Sequence, residues 1–410
     1  MAETNSSEIL VAGAGPAGMI AALAFAGNGF SITLAGPPAP PDDRRTTALM
    51  MPSLALLKEF GLFDVVAESG APLRAMRIVD GTSRLIRSPT VTFRASEIGE
   101  TAFGYNIPNR HLLNRLEAAV REHGAIEWRE SLVSGYRLSD HEAVADLDGD
   151  TITARLVVAA DGRSSPAREA AGIHTHRHGH PQSALVLNFA HSRDHGNVST
   201  EFHTETGPFT QVPLPGQRSS LVWVVRPEAA ERLMEMSNNA ISEEIEGRMQ
   251  SMLGKVEVEP GRQVYPLSSA MPSRFGARRV ALVGEAAHLF PPIGAQGLNL
   301  GVRDIQDLVT IARASRGDPG SPAALLRYDA RRRPDIMARS SAVNMLNYSL
   351  LSDFLPAQFM RSAGIGLLAG FAPLRGFFMR EGLRPGSGWR HAFGGRVTES
   401  GRPSGEEIRR

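Results

Sequence analysis

Two glycine-rich turns, each beside an apolar run, hold the residues best placed for chemistry. Near the start, Gly13-Ala14-Gly15-Pro16-Ala17-Gly18 has the spacing G-x-G-x-x-G, after apolar Ile9 to Ala12 and before a small-residue run to Ala26. In that setting the first glycine allows a tight turn, the second lets a pyrophosphate reach the backbone, and the third lets a helix pack closely on a strand. Far downstream, Arg279 to Gly301 reads R-V-A-L-V-G-E-A-A-H-L-F-P-P-I-G-A-Q-G-L-N-L-G. Glu285, after Gly284 at the end of an apolar run, can accept hydrogen bonds from ligand hydroxyls. Gly294, Ala295, Gln296, Gly297, Leu298 and Asn299 lead into a helix whose free N–H groups and positive end favour an electron-rich partner. Asp161-Gly162 closes a third apolar run, Leu156 to Ala160. Together these groups suit a dinucleotide that carries a polyol and an electron-rich ring.

The elements that must position them follow from periodicity. Val280 to Val283 reads as a short buried strand, and the prolines and glycines after it cannot be a regular helix. From Gln296 on, Leu298, Leu300, Val302, Ile305, Leu308 and Val309 share one helix face. Ser31 to Leu34 is the second strand, Met51 to Phe60 an amphipathic helix ending at Gly61, and Ile107 to Leu113 opens another helix. Leu73 to Thr92 alternates as strands over a pocket would. Ser183 to Val225 is a series of strands separated by turn residues, Glu228 to Leu253 is helical, and Val264 to Leu267 leads back to the second glycine turn. The predicted fold class is α/β: a Rossmann-like dinucleotide-binding domain with an inserted, mostly antiparallel substrate sheet and C-terminal helices. The predicted boundaries give 1–72, 106–175 and 271–320 to the dinucleotide domain and 73–105 and 176–270 to the sheet. Residues 321–384 form the helices, with Leu325 to Arg333 ending at Pro334. Residues 385–410, rich in Gly, Pro, Ser and charge, form a disordered tail.

Composition narrows the function. Net charge is +1 over 410 residues, so no global field draws nucleic acid, and Cys is 0, which removes disulfides and thiolate metal sites. The N-terminus lacks the basic region of a signal peptide, and no apolar run is long enough to cross a bilayer. His174, His176, His178 and His180 would share a face if extended; with no acid or thiolate interleaved, a polar crossover is expected rather than a metal site. Phe202 and Gln211 are expected in the sheet core or on its solvent face. The expected location is cytoplasmic, with a peripheral place at the inner face of the membrane as its extension.

The glycine turns and Asp161-Gly162-Arg163-Ser164-Ser165-Pro166-Ala167-Arg168 resemble the motifs of the flavin-dependent aromatic hydroxylases, the single-component FAD monooxygenases. Their patterns are G-D-A-A-H with P-x-x-G-Q-G-x-N, and D-G-x-x-S-x-x-R. Asp43 to Leu49 is similar to the family's D-x-R-x-x-A-L. The resemblance implies FAD as cofactor, with Glu285 on the ribityl chain and Pro292 beside the reactive flavin face. It implies Arg45 at the flavin side, Arg110 near the phosphate or ribityl region, and Val133 at the adenine. The lesser alternative for Ser165 and Arg168 is a helix-start hydroxyl and a surface charge.

Three departures stand out: Glu285 replaces Asp, Ala295 replaces the first glycine of G-Q-G, and Ala35 stands where an acid should hold the adenosine ribose. Asp42 or Asp43 are the candidates to substitute, and a weaker hold on adenosine is expected. No second G-x-G-x-x-G exists, which suits NAD(P)H as a visiting co-substrate.

The implied reaction is reduction of FAD by NAD(P)H, followed by transfer of one atom of molecular oxygen to an aromatic ring. No acid–base residue and no metal is required. The long second motif and the C-terminal helices most resemble ubiquinone-biosynthesis hydroxylases, which implies a polyprenyl phenol substrate and work at a membrane surface or within a biosynthetic complex. The alternatives are a hydroxylase of small phenolic or heteroaromatic compounds and a flavin-poor scaffold.

Overall fold

The computed structural model describes residues 4–40, 43–84, 87–291, 297–351, 355–384 and 387–388. Its first sheet is built on near-continuous apolar runs. Thr4–Ala12 lies parallel between Ile32–Ala35 and Asp150–Ala159, with Ile126–Arg129 and Val280–Leu282 parallel at the flanks. Ile9, Leu10, Val11, Leu156, Val157, Val158 and Ala159 are fully buried, as strands covered on both faces require. The chain winds outward from Thr4–Ala12 on one side, then returns to add Asp150–Ala159 on the other. These two strands therefore form a topological switch point, and a ligand crevice is expected at their carboxyl ends. Three short antiparallel strands, Gly135–Leu138, Ala143–Leu147 and Gly276–Ala277, extend the sheet.

The second sheet runs in the order Val256–Val258, Thr175–His191, Arg218–Val225, Gly207–Leu214, Val198–Thr204, Ala75–Asp80 and Val91–Arg94, and Gln263–Pro272 also pairs with Thr175–His191. Only the pairing of Ala75–Asp80 with Val198–Thr204 is parallel. Its faces differ. One carries Leu185, Leu187, Phe189, Phe202, Phe209, Leu221 and Trp223 into a core of its own, closed by the helices Pro227–Glu235 and Asn238–Arg248. The other presents a half-buried register row, Gln263, Val186, Val222, Thr210, Glu201 and Ile78. A small third sheet, Thr46–Met50 and Ala71–Pro72 on Gly104–Pro108, meets this second face: Thr46 Oγ1 donates to Ser220 Oγ at 3.1 Å and Asn188 Nδ2 to the Arg44 carbonyl at 3.0 Å.

The helices used below are α1 (Pro16–Ala26), α2 (Met51–Glu59), α3 (Gly297–Ala314), α4 (Pro322–Leu351), α5 (Leu355–Gly370) and α6 (Ala372–Leu383). Four local expectations change. The helical stretch from Glu228 to Leu253 is two helices, parted where Ser237 caps the second through the Ala240 N–H at 3.2 Å. Leu73 to Thr92 yields strands only at its ends, because Asp80 accepts hydrogen bonds from Thr82 and Ser88 and folds a loop between them.

The histidine segment is no crossover but part of one 17-residue strand, Thr175–His191; His178 and His180 stack edge to face, and no metal-holding group exists among the described residues. Pro334 does not end its helix and lies inside α4. The rung its missing N–H removes is offset by its neighbours: Arg332 is anchored on Asp304, Asp307 and Asp335, and Arg333 on Asp329 and the Ser273 carbonyl. Of the expected tail, all but residues 387–388 lies outside the described residues.

Candidate cofactor and substrate site

At the switch point, close packing dictates two of the three N-terminal glycines. Gly13 has φ +105°, and a Cβ there would lie 2.4 Å from the Ala160 carbonyl oxygen; one on Gly18 would lie 1.7 Å from that of Gly13. Gly15 is different: a Cβ there meets nothing within 4 Å, so the space before it is open to a ligand. The helix α1 starts without a side-chain cap, leaving the N–H groups of Ala17 and Gly18 to attract an anion. The start of α3 meets α1 through small residues: a Cβ on Gly301 would lie 3.2 Å from Gly284 Cα, and one on Gly284 3.3 Å from Ala17 Cβ. Two helix N-termini therefore face the same crevice.

The turn between them is held from behind by Asp304. This fully buried carboxylate accepts from the Gly284 N–H at 3.0 Å and His288 Nε2 at 2.8 Å through Oδ2, and from Arg332 Nε at 2.7 Å through Oδ1. Glu285, on the outer side of the turn, is solvent-exposed and pairs loosely with Arg163 at 3.4 Å. Arg168 is not a surface charge: it is buried and donates to the carbonyls of Ala286 at 2.9 Å and Arg163 at 3.0 Å, tying the Asp161 loop to the Glu285 loop. Ser165 is the helix-start hydroxyl, accepting from the Arg168 N–H. Gly162 takes φ +82° with open space where a Cβ would be.

Asp161 accepts from the Ala167 N–H at 3.1 Å, but its Oδ1 is buried without a partner. Burial pushes this carboxyl up, against the opposing hydrogen bonds from Ser165 and Ala167. An orphaned acceptor at the crevice fits a ligand hydroxyl or amide donor.

Other expected site residues divide. Arg45 forms a bidentate pair with Asp43, 2.9 and 2.7 Å. Asp43 is thereby engaged: burial works against its charge, but hydrogen bonds from Arg45 and Asn109 hold it below the usual carboxylate range, so it is not spare for a ribose. Asp42, Pro292, Gly294, Ala295 and Gln296 lie outside the described residues. Ala35 is buried, and beside it Trp128 Nε1 donates to the Gly36 carbonyl at 2.9 Å. Arg110 is exposed in the first turn of Asn109–Glu122, and Val133 packs at the edge of the main core. Gly297 and Leu298 open α3.

The Asn299 side chain is used otherwise than expected. Its Oδ1 accepts from the Met50 N–H at 2.8 Å and Ser53 Oγ at 2.7 Å, and its Nδ2 donates to the Ala48 carbonyl at 2.7 Å, clamping α2 onto α3.

Sequence reasoning missed Asp304, Arg332 and the role of His288; His288 stood in the recognised run and Asp304 three residues beyond its end, but nothing local joined them. It also named no residue from the sheet. Phe202 and Gln211 turn to its core side, whereas Glu201, on the half-buried face, accepts from His203 at 2.9 Å and Thr210 Oγ1 at 3.2 Å.

A switch-point crevice with two converging helix N-termini and an orphaned acceptor defines a Rossmann-type dinucleotide-binding protein. Residues 6–341 match the FAD binding domain family, and the chain belongs to it. It is 34% identical over 393 residues to the ubiquinone hydroxylase UbiL of Rhodospirillum rubrum, covering 92% of this chain and 89% of that one. It is 30% identical over 391 residues to the 3-demethoxyubiquinol 3-hydroxylase of Escherichia coli, covering 92% and 97%. Among solved structures, the fold matches p-nitrophenol 4-monooxygenase PnpA of Pseudomonas putida, with TM-score 0.75, 20% identity and coverage of 93% and 97%.

Proposed function

We infer that this chain is a FAD-dependent monooxygenase that hydroxylates the aromatic ring of a polyprenyl phenol in ubiquinone biosynthesis. Full-length likeness to two hydroxylases named for ubiquinone chemistry carries the reading. Bound FAD would supply the redox chemistry, with electrons from NAD(P)H and one atom of molecular oxygen going to the ring.

The protein supplies position, dryness and electrostatics. Gly13, Ala14, Gly15, Pro16, Ala17 and Gly18 would cradle the pyrophosphate. Glu285 and Asp161 would accept from the polyol, and Arg45 would sit at the ring side. Gly284, Gly162, Arg110, Val133 and the run from Pro292 to Asn299 complete the proposed contacts, Asn299 through its backbone.

The second sheet, turned toward Thr46 and Arg44, roofs the ring site and keeps water out. Glu201 on that roof accepts a hydrogen bond from a ring hydroxyl and repels a carboxylate. That favours a neutral phenol over a phenolic acid. The isoprenoid tail, at about 0.8 kcal/mol per buried CH₂, draws the substrate to a bilayer. The enzyme therefore works at the cytoplasmic face of the membrane or in an assembly there. Among the described residues no single helix is long and apolar enough to cross it.

Deleting the gene and measuring quinone intermediates by mass spectrometry tests the function. Accumulation of an under-hydroxylated polyprenyl phenol is expected; an unchanged quinone profile overturns the reading.

A further inference from the structure

We propose that a cavity of about 380 Å³ between the edge of the roof and α6 binds the isoprenoid tail of the substrate. This rests on the functional reading above and adds where the tail goes. The volume falls within the roughly 300–1,000 Å³ of ligand sites. Its walls include Met50, Met76, Phe93, Phe103, Leu368 and Met379.

Strand register places the cavity next to the ring site. Asn188, Ser220 and Val212 lie on the half-buried face beside the row that holds Glu201, and that strip continues across Ser199 to Met76 and Phe93. One end of the strip touches the Arg44–Thr46 segment at the flavin side, and the other end is the cavity wall.

The polar side chains in the wall are turned to protein partners. Ser53 donates to Asn299, Arg339 pairs with Asp335 at 3.0 Å, and Arg303 donates to the Leu383 carbonyl at 2.6 Å and lies 3.7 Å from Asp335. Apart from Arg303 Nη1, which is buried without a hydrogen-bond partner, what remains for a ligand is hydrocarbon, and a branched isoprenoid chain matches it.

The outer side of the same helices shows how such a chain arrives. Phe378 both lines the cavity and is 52% exposed, and Phe359, Met360, Leu367 and Phe371 are exposed on the same helix pair. Exposed apolar side chains gathered in one place mark a contact surface. The segment from Leu355 to Arg384 contains Arg361, Arg380 and Arg384 against the single acid Glu381, with Arg375 paired to Glu97 at 2.7 Å, a balance that suits an anionic lipid surface. The tail slides from that surface into the cavity while the ring passes on beneath the roof.

Gly382 provides the test. It lines the cavity at its exposed rim, and a Cβ on it meets nothing within 4 Å, so a large side chain is admitted there without backbone strain and is expected to obstruct the cavity. Steady-state kcat/KM is measured for a farnesylated phenol and its tailless counterpart with wild type, Gly382→Trp and Gly382→Ala. Retention of radiolabelled farnesol on gel filtration is measured for the same three proteins, independently of turnover. The expected result is a loss of tenfold or more for the farnesylated phenol in Gly382→Trp. The tailless rate, flavin content and melting temperature stay at wild-type values, Gly382→Ala is near wild type, and farnesol is retained by wild type only weakly displaced in Gly382→Ala and lost in Gly382→Trp. An equal effect on both phenols, or farnesol retained by Gly382→Trp as by wild type, overturns the proposal. If wild type hydroxylates neither phenol, the functional reading fails, and farnesol retention still decides the cavity.

Discussion

Asp304 Oδ2 accepts from His288 Nε2 at 2.8 Å and, with the same atom, from the Gly284 N–H at 3.0 Å. One buried carboxylate thus fixes both ends of the turn that carries Glu285, while its other oxygen holds Arg332 of α4. α4 is thereby tied directly to this turn, beside the Tyr328 hydroxyl that donates to the Leu282 carbonyl at 2.7 Å.

Removing that carboxylate should loosen both. Asp304→Ala leaves Arg332 and His288 without their shared partner, and breaking a buried pair in this way costs about 3–5 kcal/mol. Denaturant titration should show that loss, and the purified variant should carry less flavin by absorbance. Wild-type stability with full flavin content would contradict the assignment.

The glycine that caps α1 and the one in its first turn should fail differently. Gly18→Ala puts a Cβ 1.7 Å from the Gly13 oxygen and should prevent correct folding. Gly15→Ala meets open space, so the cofactor-free protein should keep its stability within about 0.5 kcal/mol. Its FAD affinity should fall at least ~10-fold, about 1.4 kcal/mol, because the space belongs to the ligand. Fluorescence titration of apo-protein with FAD distinguishes the two outcomes.

Asp161 predicts a pH dependence. Its carboxyl is raised above 3.8 in the folded chain by burial. Between its unfolded and folded values the folded state binds more protons, so stability falls as pH rises through that window and is lowest above it. The difference in denaturation midpoint between wild type and Asp161→Asn, both free of FAD, should therefore grow in the variant's favour as pH is raised from about 4 toward 7. Bound FAD, donating to the orphaned Oδ1, should flatten the difference.

Glu201→Gln should relax selectivity. Removing the charge from the roof should improve kcat/KM for a carboxylated phenol relative to a neutral one by at least ~10-fold, about 1.4 kcal/mol. An unchanged ratio would place the ring elsewhere.

Ala35→Glu restores the acid expected at the end of the second strand and should tighten FAD binding. Equal affinities in wild type and variant would mean that the adenosine ribose finds its hydrogen bonds without a carboxylate.

The parts legible beforehand are those set by near neighbours in the chain. Gly13 and Gly18 were recognisable because a tight turn between a strand and a helix admits no Cβ there. The helix from Gly297 and the buried strands showed in the period of their apolar residues. Other assignments depended on partners far along the chain. That the Asn299 side chain clamps α2 onto α3 showed only once Met50, Ser53 and Ala48 were seen around it. Arg168 stood in a recognised motif, but its bond to the Ala286 carbonyl was not legible there, and Pro334 looked like a helix end until Arg332 met Asp304.

The sequence by itself determined that a dinucleotide-binding fold would form, because turn sterics and side-chain periodicity act over a few residues. Only the tertiary structure decided which carboxylate anchors the Glu285 turn, which face of the second sheet meets the Arg44–Thr46 segment and where a cavity lies beside it. Those depend on strand register and on hydrogen bonds between residues that no local pattern brings together.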